Sequence, residues 1–504
     1  MAKNYYLSSF FWSTAAKILN ALFSFITIPL LLGHFGKSEY GILSIATACN
    51  GYMALLDLGM NTGAVKFFSQ WKAEGKTSLR DRVARTNITF YLIISIINIT
   101  GLIAIALWGK NFFAVTDTEF EKLRTCLFII ATFAPLSWVT TAFNQLLIAD
   151  KQIGFTMQIQ CFQTILKTAL VGIILFADST MTTYFLYFTL ITASLIFPYA
   201  YKCLKDNLIS TLRPAKYWSD FKIVFTFSLS IFALSFFQVT ALQSRPIILS
   251  IFTDNATNVV TDFKIIEVIP LFIITIGGTF SSIFLPRTSE LVAQRKQKEI
   301  EEFAYNWTFK TSIIANILCI PFILSAQEAI TAYVGKEFSH LSTWLSLWCL
   351  TVLIQIHTTP GNSLVLAYGK TKALVITTAI SCAISMIINI ILCKQYGIGS
   401  AIIGYFVYVN IIIGLYYIIY YKKLMGLNRI KMFTSFMYPT LISLAIFAIV
   451  YFIPTPNVFN LISNTRIKYI VICIFKTAIW ILPYLAILTK MNKISIKEII
   501  NSRK

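Results

Sequence analysis

Charge is what this chain has least of: only 12% of its 504 residues are Asp, Glu, Lys or Arg, about half the share found in soluble globular proteins. A water-facing surface cannot be covered with so few charges, so an ordinary soluble fold is excluded. Histidine is scarcer still, at three residues, and no Cys-x-x-Cys pair or Cys/His cluster occurs, so neither a metal nor a metal-borne cofactor is expected. Of the nine cysteines, Cys49, Cys126, Cys161, Cys319, Cys349, Cys382 and Cys473 lie inside apolar runs and Cys203 and Cys393 at run ends, where they read as small packing residues. Also missing are a Walker loop, H-E-x-x-H, G-x-S-x-G and a Gly-rich dinucleotide fingerprint, which leaves ATP-driven pumping by this chain unsupported and argues against an enzyme. The longest loop, of about twenty residues, is too short for the extramembrane domain that a glycan polymerase or glycosyltransferase usually needs.

Apolar blocks take up the rest. Hydrophobic residues make up 57% of the chain, in runs of roughly twenty or more, the length that crosses a ~30 Å hydrocarbon core at ~1.5 Å per residue. Fourteen helices are expected, at about 7–32, 40–62, 83–108, 125–147, 153–177, 181–203, 221–250, 262–286, 303–326, 340–365, 373–393, 397–420, 433–452 and 467–488. Lys17 interrupts what a cleavable signal would need, so helix one is expected to stay in the protein. Most of the 42 Lys and Arg fall in the N-terminus, alternate loops and the C-terminus, led by Lys66, Lys72, Lys76, Arg80, Arg82 and Arg85 after helix two. Lys202, Lys205, Arg213, Lys216 and Lys222 follow helix six in the same way. Both termini are therefore expected in the cytoplasm. A formal net charge of +21, spread over loops in this pattern, suits anionic lipid headgroups and not nucleic acid.

A charge at mid-bilayer costs a few kcal/mol even on lenient scales, about 2.5–3.5 for Lys or Arg, and calls for a reason. Helix one carries Ser13, Lys17, Asn20, Ser24 and Thr27 at spacings of three or four, which gives it one polar face. Helix five carries Gln160, Gln163, Thr164 and Lys167, helix two Asn50, Asp57 and Asn61, and helix seven Ser235, Gln238 and Arg245. Three of the four stripes include a cation, the arrangement of a cavity that receives a phosphate or pyrophosphate. Lys17, Lys167, Arg245 and Lys310 are the candidate cations, with Ser13, Asn20, Ser24, Asn50, Gln163 and Gln238 as polar lining.

Each has a plainer reading. Lys310 is near enough to its helix end to snorkel to headgroups, Lys476 lacks polar neighbours and reads as structural or lipid-facing, and Arg245 could belong to the outer rim. Asp57 is a candidate for ion coupling, or it neutralises a cation or caps a helix end. Glu267, the other coupling candidate, could pair with Arg245 or Lys264. His357, Pro360 and Gly361 interrupt helix ten, as a hinge or a packing kink. Pro29 and Pro246 occupy matching places in helices one and seven, six helices apart. An even offset preserves direction, so the repeat would be parallel, with bundles at 1–212 and 213–425 and two further helices and a tail in 426–504.

The stretch from Pro29 through the turn Gly36-Lys37-Ser38-Glu39-Tyr40-Gly41 to Leu56-Asp57-Leu58-Gly59-Met60, then Gly63, Ala64 and Lys66, is the most distinctive in the chain. With Leu366-Ala367-Tyr368-Gly369-Lys370-Thr371-Lys372, it resembles the polysaccharide-transport, O-antigen type lipid-linked oligosaccharide flippase family. That family belongs to the multidrug/oligosaccharidyl-lipid/polysaccharide (MOP) superfamily, which also holds the multidrug and toxin extrusion (MATE) transporters. The motifs cover about a tenth of the chain; length and helix count agree over all of it. The resemblance implies an all-α polytopic membrane protein with a MATE-like, V-shaped pair of six-helix bundles, two C-terminal helices beside a lipid portal, and a place in the bacterial inner membrane. It also implies a polyprenyl-pyrophosphate-linked glycan as cargo, moved from the cytoplasmic to the outer leaflet by alternating access, with H+ or Na+ coupling and polysaccharide polymerases as partners. The rival readings are a multidrug or organic-cation exporter of the same superfamily and a membrane-embedded glycan polymerase or ligase.

Overall fold

The computed structural model describes residues 2–369, 372–456, 459 and 462–490; some helical side chains within these, including those of residues 2–10, 233–235 and 278–283, fall outside the description. Lys370, Thr371, the Ser235 side chain and the tail beyond 490 therefore lie outside the described residues. Among the described residues there is no strand. The helices are α1 (Ala2–Met53), α2 (Met60–Ala73), α3 (Thr77–Trp108), α4 (Asp117–Ala149), α5 (Ile153–Phe176), α6 (Met181–Ala193), α7 (Ile196–Lys205), α8 (Trp218–Phe252) and α9 (Ala256–Ala293). They continue as α10 (Gln297–Leu324), α11 (Ala326–Tyr333), α12 (Ser342–His357), α13 (Thr359–Ala367), α14 (Lys372–Tyr396), α15 (Ile398–Phe406), α16 (Gly414–Met425), α17 (Arg429–Tyr451) and α18 (Thr465–Lys490).

Eleven stretches among the described residues are long and apolar enough to cross a membrane. The first, Phe11–Asp57, holds two of the expected spans, and α8 and α9 cover two more. The expected class, an all-α polytopic membrane protein, is the one observed. The chain divides into two compact units, one running to Thr261 and including Cys393–Gly397, the other Asp262–Leu392 and the chain from Ile398 onward. These units follow packing, so α8, the first helix of the second bundle in the repeat reading, is grouped with the first unit.

In the first unit α1 bends at Gly36, whose φ of 81° is open to glycine and strained for other residues. The turn is held by Ser38 Oγ donating to Glu119 Oε1 (2.5 Å) and Thr261 Oγ1 donating to the Lys37 carbonyl (2.7 Å). Glu119 also completes a capping box with Thr116 at the start of α4. Helix two does not run through to residue 62 as expected. It ends at Met53, and a 3-10 turn over Ala54–Asp57 leads into left-handed Leu58 (φ 51°) and Gly59 (φ 76°) before α2 begins. A β-carbon at Gly59 would lie 2.5 Å from the Ser228 carbonyl oxygen, and one at Gly63 would lie 1.9 Å from Ser228 Oγ. The Asp-Leu-Gly segment is thus where α2 approaches α8 backbone to backbone, an approach that only glycine permits.

The basic residues after helix two are largely neutralised within this unit. Lys72 pairs with Asp150, Arg80 lies 4.0 Å from the same carboxylate, Arg82 bonds Asp220 (2.9 Å), and Arg85 lies 3.9 Å from Asp81. Asp206, which accepts from Gln152 (2.6 Å) and pairs with Lys202 (2.9 Å), belongs to the same belt. Partial burial works against its charged form, yet these two donors hold its carboxyl below the ordinary range. The belt ties loop to helix end and leaves less free charge for headgroups than the sequence suggests.

In the second unit α10 is central, packing against α12 and α17. Asn316 donates to Thr440 Oγ1 (3.2 Å), fastening α10 to α17. Trp480 donates to the Ser443 carbonyl (3.1 Å), fastening α18 to α17. Helix ten breaks between His357 and Thr359, as its proline leads one to expect, with Gly361 so close to Tyr421 that a β-carbon would sit 2.0 Å from the phenol oxygen. Pro29 and Pro246, by contrast, lie inside α1 and α8, which run on through them.

Candidate functional site

Helix α1 is exposed on two opposite sides. Phe11, Ile18, Leu22 and Ile26 form an apolar arc, each 48–63% exposed. At ~100° per residue, Lys17, Asn20 and Ser24 fall on the other side, and all three are exposed as well. An apolar arc suits lipid; a lysine, an amide and a hydroxyl do not. The polar side borders α5, where Thr164 Oγ1 donates to Asn20 Oδ1 at 2.8 Å. Lys17 lies three residues before Asn20 and Lys167 three residues after Thr164. Each lysine therefore stands about one helical turn from one interhelical hydrogen bond.

Lys167 is half-buried, with Nζ 4.4 Å from the centroid of the Phe188 ring on α6. Gln163, one turn earlier, donates to the carbonyls of Ile191 (3.1 Å) and Thr192 (3.3 Å) beside the break between α6 and α7. Thr27 is turned inward and spends its hydroxyl on the Phe23 carbonyl (2.7 Å). Neither Lys17 nor Lys167 pairs with a carboxylate among the described residues. Ser13, Ser24, Asn50 and Gln238 likewise have no hydrogen-bond partner among the described residues.

Arg245, on α8 in the same unit, is 2% exposed, with Nε donating to the Ala241 carbonyl at 2.9 Å. The other expected residues are dispersed. Glu267 takes the nearer of its two expected partners, Lys264, at 2.6 Å. Lys476 is structural: it pairs with Glu328 at 2.5 Å and joins α18 to α11. His357 stacks on Phe436 with ring centroids 3.9 Å apart. Lys310 is exposed, its Nζ 5.1 Å from the Trp307 centroid.

Asp57 does not continue one α-helical face from Asn50 to Asn61, because α1 ends at Met53, a 3-10 turn carries Asp57, and left-handed Leu58 and Gly59 follow it. Its Oδ2 accepts from the Asn61 amide (3.1 Å), capping α2, and its Oδ1 accepts from the Tyr91 hydroxyl (2.6 Å). The chain goes on inward: Gln145 Nε2 donates to the Tyr91 oxygen (2.6 Å), and Asn87 Nδ2 donates to Gln145 Oε1 (2.7 Å). Tyr91, Gln145 and Asn87 are fully buried. Sequence reading missed these three; Asn87 and Tyr91, four apart on α3, were the available signal. Tyr91→Phe deletes a hydroxyl that serves two partners and is expected to cost about 1–3 kcal/mol. A fall in the unfolding temperature of the purified protein, absent in a Tyr187→Phe control, checks this.

No family model matches the chain, and no curated protein matches it. Solved structures do. The lipid II flippase MurJ, in an inward closed conformation, superposes with a TM-score of 0.68 at 13% identity, over 96% of this chain and 99% of MurJ. An inward-facing multidrug resistance MATE family transporter of the MOP superfamily gives 0.68 at 14%, over 81% of this chain and 94% of that one. A Vibrio cholerae MATE transporter gives 0.55 at 15%, over 85% and 98%. The fold is therefore that of the MATE transporters and MurJ; identities this low speak to the fold alone.

Proposed function

We propose that this protein is a flippase that carries a polyprenyl-pyrophosphate-linked oligosaccharide from the inner to the outer leaflet of a bacterial inner membrane, with both termini cytoplasmic. The observation that carries the reading is the pair Lys17 and Lys167: two cations on lipid-length helices, each about one turn from a single contact between them, with no carboxylate to balance them among the described residues. Lys476 shows the contrast, since its charge is met by Glu328. Charge left uncompensated in a low-dielectric setting stabilises an incoming anion, and a pyrophosphate brings the matching charge and acceptor oxygens. Arg245 is the third candidate contact. Open hydrogen-bonding groups on Ser13, Asn20, Ser24, Asn50 and Gln238 suit sugar hydroxyls, while the polyprenyl tail stays in lipid.

MurJ, a lipid II flippase, and the MATE transporters share this fold, so the choice between their kinds of cargo rests on the charge of the lining. An organic-cation exporter would set like charge against Lys17 and Lys167. Asp57 and Glu267 remain the candidates for proton or sodium coupling, with Asp57 the better placed because its carboxylate ends a buried polar chain. Alternating access is the mechanism proposed, with Pro29, Pro246, Pro360 and Gly361 as hinge candidates; polysaccharide polymerases are proposed as partners. Cargo biases such motion only by binding its two states differently. The test is leaflet-resolved detection of polyprenyl-pyrophosphate glycan in cells lacking the protein and in cells making it. Accumulation on the cytoplasmic leaflet, relieved by the native chain, is expected; normal outward delivery without the protein would favour drug export.

A further inference from the structure

The second unit contains a groove of about 460 Å³ between α9 and α10, within the size range of sites for small ligands. Its charged lining is Arg287 and Lys310 against Glu299 and Glu302. Two of the four are satisfied by one another: Glu299 lies 3.4 Å from Arg287, and Lys296 adds a second bond to it at 2.9 Å. The other two are not. Among the described residues Lys310 meets only the Trp307 ring, and Glu302 meets no cation.

Lys310 and Glu302 stand eight residues apart on α10, ~12 Å along the axis. That is too far for the i to i+4 pairing that would neutralise them. Asn306 lies midway on the same face and lines the groove between them. One opening thus offers a cation, an amide and a carboxylate in a row. Along its side Phe284, Phe303 and Trp307 pack together with centroids 4.8–6.2 Å apart. Such an aromatic wall beside charged groups is the lining favoured where headgroup meets acyl chain. The groove's Glu299 end adjoins the turn Arg295-Lys296, the end that the distribution of basic residues assigns to the cytoplasm.

We propose that this groove binds the headgroup of a phosphoethanolamine lipid, the phosphate at Lys310 and Asn306 and the primary ammonium at Glu302. A zwitterion matches the cation and the carboxylate that are left over, Lys310 and Glu302. An anionic headgroup would leave Glu302 facing like charge, and a choline headgroup has no N–H to donate to its carboxylate. Lys310 then holds a lipid and not the cargo, an assignment that stands whether or not the flippase reading does.

The test uses the purified full-length protein, delipidated in detergent, with phosphatidylethanolamine, phosphatidylglycerol and phosphatidylcholine of identical acyl chains, and native mass spectrometry to count retained lipids. One phosphatidylethanolamine is expected to bind about tenfold more tightly than either alternative, a difference of about 1.4 kcal/mol. Glu302→Gln should remove the preference for ethanolamine over choline, Lys310→Gln should weaken all three lipids, and Glu337→Gln should change nothing. Tightest binding of phosphatidylglycerol, equal binding of all three, or an ethanolamine preference that survives Glu302→Gln would overturn the proposal. Competition between ethanolamine and choline lipids on the native chain decides the matter even if a variant fails to fold.

Discussion

Replacing Lys17 and Lys167 together by alanine is expected to cut outward movement of a polyprenyl-pyrophosphate glycan by about a hundredfold or more, while the protein still inserts and folds. Hydrogen bonds to charged groups contribute about 1.5–3 kcal/mol each, and tenfold in rate or affinity corresponds to about 1.4 kcal/mol. Two such contacts therefore suffice for the loss. Each single substitution should show part of it, with a coupling between them if both cations meet one pyrophosphate. Neither change opens a core, because Lys17 is exposed and Lys167 half-buried. The Asn20 to Thr164 bond that joins the two helices is left in place. Replacement of both by arginine keeps the charge and should retain most of the movement. Proteoliposomes loaded with fluorescent substrate and probed from one side measure the rate directly. Native rates in the double alanine variant would remove these lysines from the site.

The class of fold was legible because bilayer length is written into the runs of apolar residues, and a lysine inside such a run is conspicuous in any chain. Interruptions of helix were legible only where glycine or proline marks them. The bend at Gly36 falls in the turn that sequence had already set apart. The break between α6 and α7 at Ser194 and Leu195, and the π-helical segment Val407–Ile413, carry no such mark. At Asp57 the periodicity misled. Spacings of seven and four put it on one face with Asn50 and Asn61, but Leu58 and Gly59 turn the chain left-handed, and Asp57 looks instead toward Tyr91.

Partners distant in sequence were beyond reach for a different reason. Glu328 lies 148 residues from Lys476 on a short helix that no hydropathy window would single out. Tyr91 and Gln145 meet only because α3 packs along α4. The cargo is a third matter. Structures that share this fold at 13–15% identity include both a lipid II flippase and multidrug transporters. The fold therefore leaves the choice of cargo to the lining, and the sign of the charge along α1 and α5 is what separates a pyrophosphate from an organic cation.

The largest stability effect is expected at Lys476, a residue with no part in that choice. Its ammonium bonds Glu328 Oε1 at 2.5 Å with both side chains four-fifths buried, and the pair fastens α18 to α11. Removing one partner from such a pair strands the other charge where little water reaches it, a loss that approaches the about 3–5 kcal/mol of fully buried pairs. Lys476→Met keeps the length and apolar stem of the side chain, so its whole penalty is assigned to the orphaned carboxylate. Glu328→Gln in the same chain removes that charge. The double variant is therefore expected to recover most of the loss, since replacing a buried ion pair by neutral groups is often nearly neutral overall. Thermal unfolding of the native protein, the two single variants and the double variant completes the cycle. A double variant as unstable as the sum of its parts would mean that the two residues act separately, and that α18 is held on by Trp480 and its apolar neighbours alone.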